Sequence, residues 1–215
     1  MPASPYIAML SIAIASAQLG AQAQPITAAP AQQPRPAVPR AAQSSRASVE
    51  AIIDRRWLNN QWMATGGIAG PARLAINYGQ PHARGRNVIG SSVVPWDTVW
   101  RTGANQATQL TTELDITLGN TFIPRGIYTL FTLPTRAGWK LIVSKQVLQW
   151  GTEYDPAQDL ARIDLRSRTL AEPIESLTFW LVPVPEPPAS QTLPHGALKL
   201  AWGNVELSTD WRVGR

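Results

Sequence analysis

T-Q-L-T-T-E-L-D-I-T-L-G-N-T-F-I-P-R-G-I-Y-T-L-F-T-L-P-T-R-A-G-W-K-L-I-V-S, residues Thr108–Ser144, decides the fold class. Apolar and polar residues alternate through it with a period of two, which marks strands that bury one face. Thr108–Thr112 and Leu114–Leu118 read as strands, and Gly119-Asn120 is a two-residue hairpin signal before Thr121–Ile123. Ile127–Leu133 and Trp139–Ser144 flank Pro134–Gly138 as a second hairpin.

The same pattern extends outward. Leu160–Leu165 and Ser176–Val182 read as strands separated by the polar run R-S-R-T-L-A-E-P-I-E, and Pro183–Gly196 is a proline-rich loop. Leu198–Trp202 is then expected to turn at Gly203-Asn204 into Val205–Thr209. Upstream, Arg73–Tyr78 alternates, Thr65–Pro71 is a loop, and the β-branched Ala47–Ile53 favours a strand over a helix start. No internal repeat and no strand–helix–strand alternation is visible. The expectation is an all-β chain, a single β-sandwich (jelly-roll-like or a partly closed barrel) of about ten short strands. One short helical turn is expected at Pro95–Trp100, where Trp96, Val99 and Trp100 fall at i, i+3 and i+4 and Gly103 follows as a left-handed cap.

The amino-terminal part reads differently. Tyr6–Ala17 is an apolar run of 12 residues, shorter than the roughly 20 needed to cross a bilayer, and Ala21-Gln22-Ala23 is a small-x-small cleavage signal. Residues 1–23 are expected to be a signal peptide cleaved after Ala23, which places the protein in the periplasm or outside the cell with no membrane span. The segment before the apolar run holds no Lys or Arg, so retention as an anchor is the alternative. Residues 24–46, rich in Pro, Ala and Gln, are expected to be a disordered linker. The sandwich domain is assigned to residues 47–215.

Composition excludes several functions. The 215 residues contain no cysteine, which removes thiolate metal sites, cysteine nucleophiles and disulfides. His82 and His195 are the two histidines, too few for a multi-histidine zinc site within one chain. The net charge is +5, and of the 19 basic residues Arg35 and Arg40 lie in the linker. That leaves 17 basic against 14 acidic residues from Arg46 onward, a net +3. No basic stripe or nucleic-acid module appears, so nucleic acid is not an expected partner. No serine-hydrolase elbow, paired-histidine metal helix, phosphate loop or dinucleotide fingerprint is present. No catalytic residue, metal set or cofactor is expected.

Three stretches stand outside the strand alternation. In P-W-D-T-V-W-R-T-G-A-N-Q-A-T, Pro95–Thr108, Arg101, Asn105 and Gln106 leave a turn anchored by tryptophans. A guanidinium and two amides suit carboxylate, phosphate or sugar hydroxyls, or else they tie loop carbonyls. In Q-W-G-T-E-Y-D-P, Gln149–Pro156, Trp150 and Tyr154 supply flat faces beside Glu153 and Asp155. Aromatic faces beside carboxylates suit sugar rings. The two carboxylates would serve as acid and base in glycoside hydrolysis only if that stretch were extended, and then they stand too close for a substrate between them. An aromatic-plugged turn explains the same residues. In Tyr78–Arg86, His82 sits with Arg84 and Arg86 in a polar loop, with no partner identifiable.

Together, I-N-Y-G-Q-P-H-A-R-G-R (Ile76–Arg86), V-P-W-D-T-V-W-R-T-G-A-N-Q-A-T (Val94–Thr108), P-R-G-I-Y-T-L-F-T-L-P (Pro124–Pro134) and Gln149–Pro156 resemble the bacterial secreted family called domain of unknown function 2911. The resemblance covers about residues 46–210 and implies an exported, β-rich domain with no assigned activity. It also implies glutamate at Gln106, glycine near Asp97, serine at His82 and a shorter Asp54–Gly70. An amide at position 106 suits binding or structure better than acid–base chemistry.

The leading expectation is an exported domain that binds a small polar or anionic ligand, or a glycan. The candidate set is Arg86, Arg101, Asn105, Gln106, Trp150, Tyr154, Asp155 and His82. One alternative is an envelope hydrolase using Glu153 or Asp155. The other is a structural or assembly module of the envelope, which requires Trp100, Arg101, Asn105 and Trp150 to be buried and mutually satisfied with no open pocket beside them. The balance leans away from an enzyme.

Overall fold

The computed structural model describes residues 43–53, 56–58, 61–63, 71–187 and 192–215. The expected signal peptide, residues 24–42 of the expected linker and the Thr65–Gly70 part of the expected loop lie outside the described residues. The strands are β1 (Ser45–Ile53), β2 (Arg56–Leu58), β3 (Gln61–Met63), β4 (Ala72–Gln80), β5 (Thr108–Thr112) and β6 (Ile116–Leu118). They continue with β7 (Thr121–Ile123), β8 (Gly126–Thr135), β9 (Gly138–Ser144), β10 (Asp159–Pro183) and β11 (His195–Val213). Among the described residues the helical content is a single 3-10 turn, Pro156–Gln158, capped by Asp155.

The chain is all-β, and its nine-stranded sheet runs in the order β1-β4-β5-β8-β9-β10-β11-β6-β7. The pairings are antiparallel, while β2 and β3 pair apart from this sheet. The sheet does not close: among the described residues its two ends are β1 and β7. It folds over into a sandwich because β10 belongs to both layers. Ala161–Leu165 pairs with Val143–Trp139 of β9, and beyond Leu165 the same strand pairs with β11. A strand of 25 residues far exceeds the usual run of about 5–6 and has to bend. Register shifts between Thr169 and Thr178 supply the bend, with extra residues on β10 opposite β11.

Alternation places the core. Ala161, Ile163 and Leu165 of β10 point inward while Leu160, Arg162 and Asp164 point out. They join Leu110, Leu130, Leu141 and Val143 from one layer and Leu177, Phe179, Leu198, Leu200 and Trp211 from the other in one buried cluster. Each such side chain contributes roughly 1.5–3 kcal/mol by leaving water. Tyr78 meets Phe179 across the layers with ring centroids 4.7 Å apart. On β8, Tyr128–Thr132 is buried on both faces, and Tyr154 covers Phe131 from outside with centroids 4.9 Å apart.

The Gly119-Asn120 hairpin joins β6 to β7, with Leu118 opposite Thr121. Three local expectations are corrected. Gly203-Asn204 does not reverse the chain, because Ala201 and Val205 on either side both pair with β10. Gly203, at φ +58°, instead accommodates a bulge. The polar run after Leu165 separates no strands: Arg166 and Arg168 stay in register with Ser208 and Glu206. Charge pairs cover this exposed reach, Arg166 with Asp210 and Arg168 with Glu206. Pro95–Trp100 forms no helix. Trp100 donates to Thr132 O (2.8 Å) and accepts from Thr132 N (2.9 Å), and Asp97 N donates to Pro134 O (2.7 Å), so the edge of β8 takes the groups a helix would have used. The left-handed residues there are Asp97, Thr102 and Asn105 rather than Gly103.

Candidate functional site

The connection from β4 to β5, residues 81–107, is irregular yet heavily tied down. It first turns at Ala83-Arg84-Gly85-Arg86, where Arg84 (φ 54°) and Gly85 (φ 72°) are both left-handed and Arg86 N donates to Ala83 O at 3.1 Å. A residue with a side chain is strained in that region, and among the described residues five that are not glycine adopt it: Arg84, Asp97, Thr102, Asn105 and Leu148. Four of the five lie in this connection, and the fifth lies in the 145–155 loop beside it. Backbone strain gathered in this way marks segments held by their surroundings.

The holding contacts are specific. His82 faces Ser176 of β10, with Nδ1 and Ser176 Oγ 2.7 Å apart. Ala104 N donates to Gly79 O at 3.0 Å, Ala107 N to Gln149 O at 3.3 Å, and Gly151 N to Asn105 O at 3.0 Å. Thr102 is fully buried, and its Oγ1 donates to Trp100 O and meets Thr132 Oγ1, both at 3.1 Å. Thr108 Oγ1 donates to Thr102 O at 2.9 Å. These contacts require glycine at two places. A Cβ on Gly79 would stand 1.9 Å from Ala104 O, and one on Gly151 would stand 2.6 Å from Arg101 Cδ. Below them, Trp100 lies nearly parallel to Trp202, with ring centroids 5.7 Å apart at 15°, and Trp202 Nε1 donates to Glu175 O at 3.1 Å.

Above this indole pair opens a cavity of about 570 Å³, a size ordinary for small-molecule sites. Its walls include His82, Arg84, Arg86, Ser92, Arg101, Asn105 and the chain leading into β1 at Gln43 and Ser44, with Trp100 and Trp202 below. No carboxylate is among the lining residues. The three arginines are aimed by backbone carbonyls. Arg86 donates through Nε to Ala83 O and through Nη2 to His82 O, both at 2.8 Å. Arg101 Nε donates to Gly103 O at 3.1 Å, and Arg84 Nη2 donates to Gln43 O at 3.0 Å. Elsewhere Arg73, Arg162, Arg166 and Arg168 each pair with a carboxylate. Among the described residues none is within ion-pair distance of Arg84, Arg86 or Arg101. Glu175, the nearest acid bonded to this wall, is engaged by the Arg84 backbone N–H at 2.7 Å.

The eight candidates therefore divide. His82, Arg86, Arg101 and Asn105 line one cavity. Gln106 and Trp150 pair through their backbones on the far side of the Arg101 loop, and Trp150 is 50% exposed. Tyr154 turns inward: its hydroxyl donates to Asp159 Oδ2 (2.8 Å) and accepts from Arg162 Nη2 (2.9 Å). Burial, followed by the neighbouring Asp159, pushes its phenol above the usual range. Asp155 caps the 3-10 turn by accepting from Ala157 N at 2.9 Å. Of the four residues a purely structural role would bury, Trp100 is buried, Arg101 half-buried, and Asn105 and Trp150 exposed. Other lining residues lie outside the candidate set, among them Arg84, Trp202 and Gln43. Arg84 is legible beside Arg86, Trp202 reads as one more inward strand residue, and nothing local marks Gln43.

Residues 61–210 match the model of the family described as Protein of unknown function (DUF2911). The chain belongs to that family. Neither a curated protein nor a solved structure matches it. In this DUF2911 chain Gln106, where the resemblance implies glutamate, accepts a hydrogen bond from Arg46 Nη1 at 3.2 Å. A glutamate there would make an ion pair on the surface of the β1 strand, a structural role that the amide keeps in weaker form. The DUF2911 domain also carries a larger concavity of about 700 Å³ beside β11, lined mainly by apolar groups such as Val182, Leu193, Trp211 and Val213. Its charged lining is mixed in sign, with His195, Lys199 and Arg212 beside Asp210. The smaller, arginine-lined cavity is the better candidate.

Proposed function

We propose that this domain is a binding module for a small polar or anionic ligand, seated in the arginine-lined cavity between the β4–β5 connection and β11. One observation carries the reading: Arg84, Arg86 and Arg101 line a single cavity, are held by carbonyls, and meet no carboxylate there. Orienting guanidinium groups without neutralising them leaves donors and charge for a carboxylate or phosphate. Because carbonyls already fix Arg86 and Arg101, less side-chain entropy is lost when the ligand binds.

Thermal-shift and calorimetric screening of the purified protein with phosphate, simple carboxylates, uronates and neutral sugars tests the reading. Anions are expected to stabilise the domain, weakly at high salt, and Arg101→Ala is expected to abolish the effect. Absence of stabilisation by any anion at millimolar concentration overturns it. Export belongs to the same proposal. The apolar run Tyr6–Ala17 and Ala21-Gln22-Ala23 support delivery across the inner membrane, and amino-terminal sequencing of the mature protein should begin at Gln24.

A further inference from the structure

We infer that two copies of this chain associate edge to edge through β1, the two strands pairing antiparallel about a two-fold axis at Ser48. The inference is independent of what occupies the arginine-lined cavity.

The two ends of the sheet differ. β7 is three residues long, and Arg215 lies over Phe122 with its guanidinium carbon 4.4 Å from the ring centroid. β1 is nine residues long and pairs with β4 at every position, from Ser45 opposite Gln80 to Ile53 opposite Ala72, without a register shift. Among the described residues its outer edge meets no other strand, and no backbone group of Ser45–Ile53 bonds to backbone outside the β1–β4 ladder. Edge strands are ordinarily blunted by shortness, a bulge, a proline or a lysine, and β1 has none of these. Its two charges, Arg46 and Glu50, are of opposite sign, so they attract a copy of the same strand rather than repel it.

Charge selects the register. Arg46, Ser48, Glu50 and Ile52 share the exposed face. In a two-fold pair centred on Ser48, Arg46 of each copy stands opposite Glu50 of the other, which gives two cross-strand ion pairs. Centring the axis on Arg46 or Glu50 sets like charges face to face, and centring it on Ala47 or Val49 leaves both charges opposite uncharged residues. Within one copy these groups lack such a partner. Arg46 stands opposite Gly79 and Glu50 opposite Ala75. Arg46 reaches the neutral Gln106 Oε1 at 3.2 Å, and Arg73, diagonal to Glu50, is taken by Glu113. On the inner face, Ala47 and Val49 pack against the core but are only partly buried. The same register sets Ala47 of each copy opposite Val49 of the other, so the two apolar strips join. The chain's own linker is a poor occupant of this edge, because Pro25, Pro30, Pro34, Pro36 and Pro39 lack the N–H that a ladder needs.

Sedimentation of the purified protein over a range of concentrations tests the inference, with a dimer that dissociates on dilution as the expected result. Glu50→Arg and Arg46→Glu should each weaken the dimer roughly tenfold or more, since two attractive pairs become repulsive. The double exchange should restore it, and thermal melts show whether each variant is folded. Ser48→Cys reads the register without relying on charge. The chain has no cysteine, and directly opposed residues of antiparallel strands have Cα atoms about 4.5–5.5 Å apart, within the span of about 4.4–6.8 Å that a disulfide bridges. Mild oxidation should therefore link two Ser48→Cys chains. Ile52→Cys, whose copies stand roughly 27 Å apart in this register, should stay unlinked. A protein that remains monomeric up to millimolar concentration overturns the inference. So does a dimer that Glu50→Arg leaves intact, one that the double exchange fails to restore, or one that Ile52→Cys links and Ser48→Cys does not.

Discussion

Gly151→Ala tests whether the 149–151 strip sets the position of Arg101. The new methyl would lie 2.6 Å from Arg101 Cδ, 2.7 Å from Asn105 O and 3.2 Å from Arg101 Cβ. Arg101 is the flexible partner and can move its stem. Asn105 O cannot move freely, because it accepts the Gly151 N–H and belongs to a residue already at φ 63°. Overpacking of this kind costs about 1–3 kcal/mol, and the lower entropy of alanine in the unfolded chain returns about 0.4–1 kcal/mol. The net loss is about 1–2 kcal/mol, which for a domain of this size lowers Tm by roughly 2–8 °C. Anion-induced stabilisation should fall as well, since the Arg101 guanidinium is displaced. The paired control is Gly85→Ala, where nothing lies within 4 Å of the new Cβ and only the left-handed backbone costs energy, about 1–2 kcal/mol. Differential scanning calorimetry and anion titration of both variants decide the matter. If Gly151→Ala melts within about a degree of the parent and binds anions equally, the claim that Gly151 positions Arg101 is wrong.

Further outcomes follow from contacts described above. Thr108→Val keeps the shape of the side chain but removes the donor to the buried Thr102 carbonyl, and urea denaturation should show a loss of about 1–3 kcal/mol; an unchanged midpoint would show that the carbonyl is otherwise satisfied. Trp202→Ala removes the partner of Trp100 and should cost about 3–5 kcal/mol, with Trp202→Phe retaining much of the packing and a fluorescence change reporting loss of the indole pair. Arg168 hydrogen-bonded to Glu206, and Arg166 to Asp210, hold both carboxyls below their ordinary range. The folded state therefore binds fewer protons than the unfolded one, and this stabilisation is complete above the ordinary carboxylate values, about 4, and lost as pH falls through the lowered ones. Glu206→Gln should flatten that acid limb in a series of melts from neutral to acidic pH, and an unchanged slope would count against the pairing.

The all-β class was legible because alternation is strongest where one face is buried, as in Ala161, Ile163 and Leu165. Turns were legible only where the flanking strands pair with each other. Gly119-Asn120 meets that condition and Gly203-Asn204 does not, yet the dipeptides are alike, and the difference lies in the extra residues that β10 places opposite β11. The failure of the expected helix at Pro95–Trp100 to form has a similar origin. Its spacing is helical, but the unpaired edge of Thr132 offers the Trp100 backbone two hydrogen bonds, and tertiary pairing outweighs a two-turn propensity. For the site, Arg86, Arg101, Asn105 and His82 could be found because polar residues off the strand period have no core to explain them. Tyr154 could not be separated from Trp150 by the same reasoning. Only the fold shows that Phe131 needs a cover on the outer face of β8, which Tyr154 provides.

The late pairing of β11 with β6 bears on the order in which the molecule can assemble. Its last residues, Trp211–Val213, are the partners of Leu118–Ile116, and Gly214 closes the seam by donating to Asp115 O at 2.8 Å and accepting from Thr117 Oγ1 at 2.7 Å. Strands β6 and β7 leave the ribosome long before that partner exists, so their hairpin waits as an isolated pair, marginal in water. Pairing across so long a separation along the chain slows folding and leaves the hairpin edge open to wrong partners meanwhile. Residues Trp211–Gly214 thus act as the fastener of the domain, and the nascent chain becomes a finished sandwich only when they arrive.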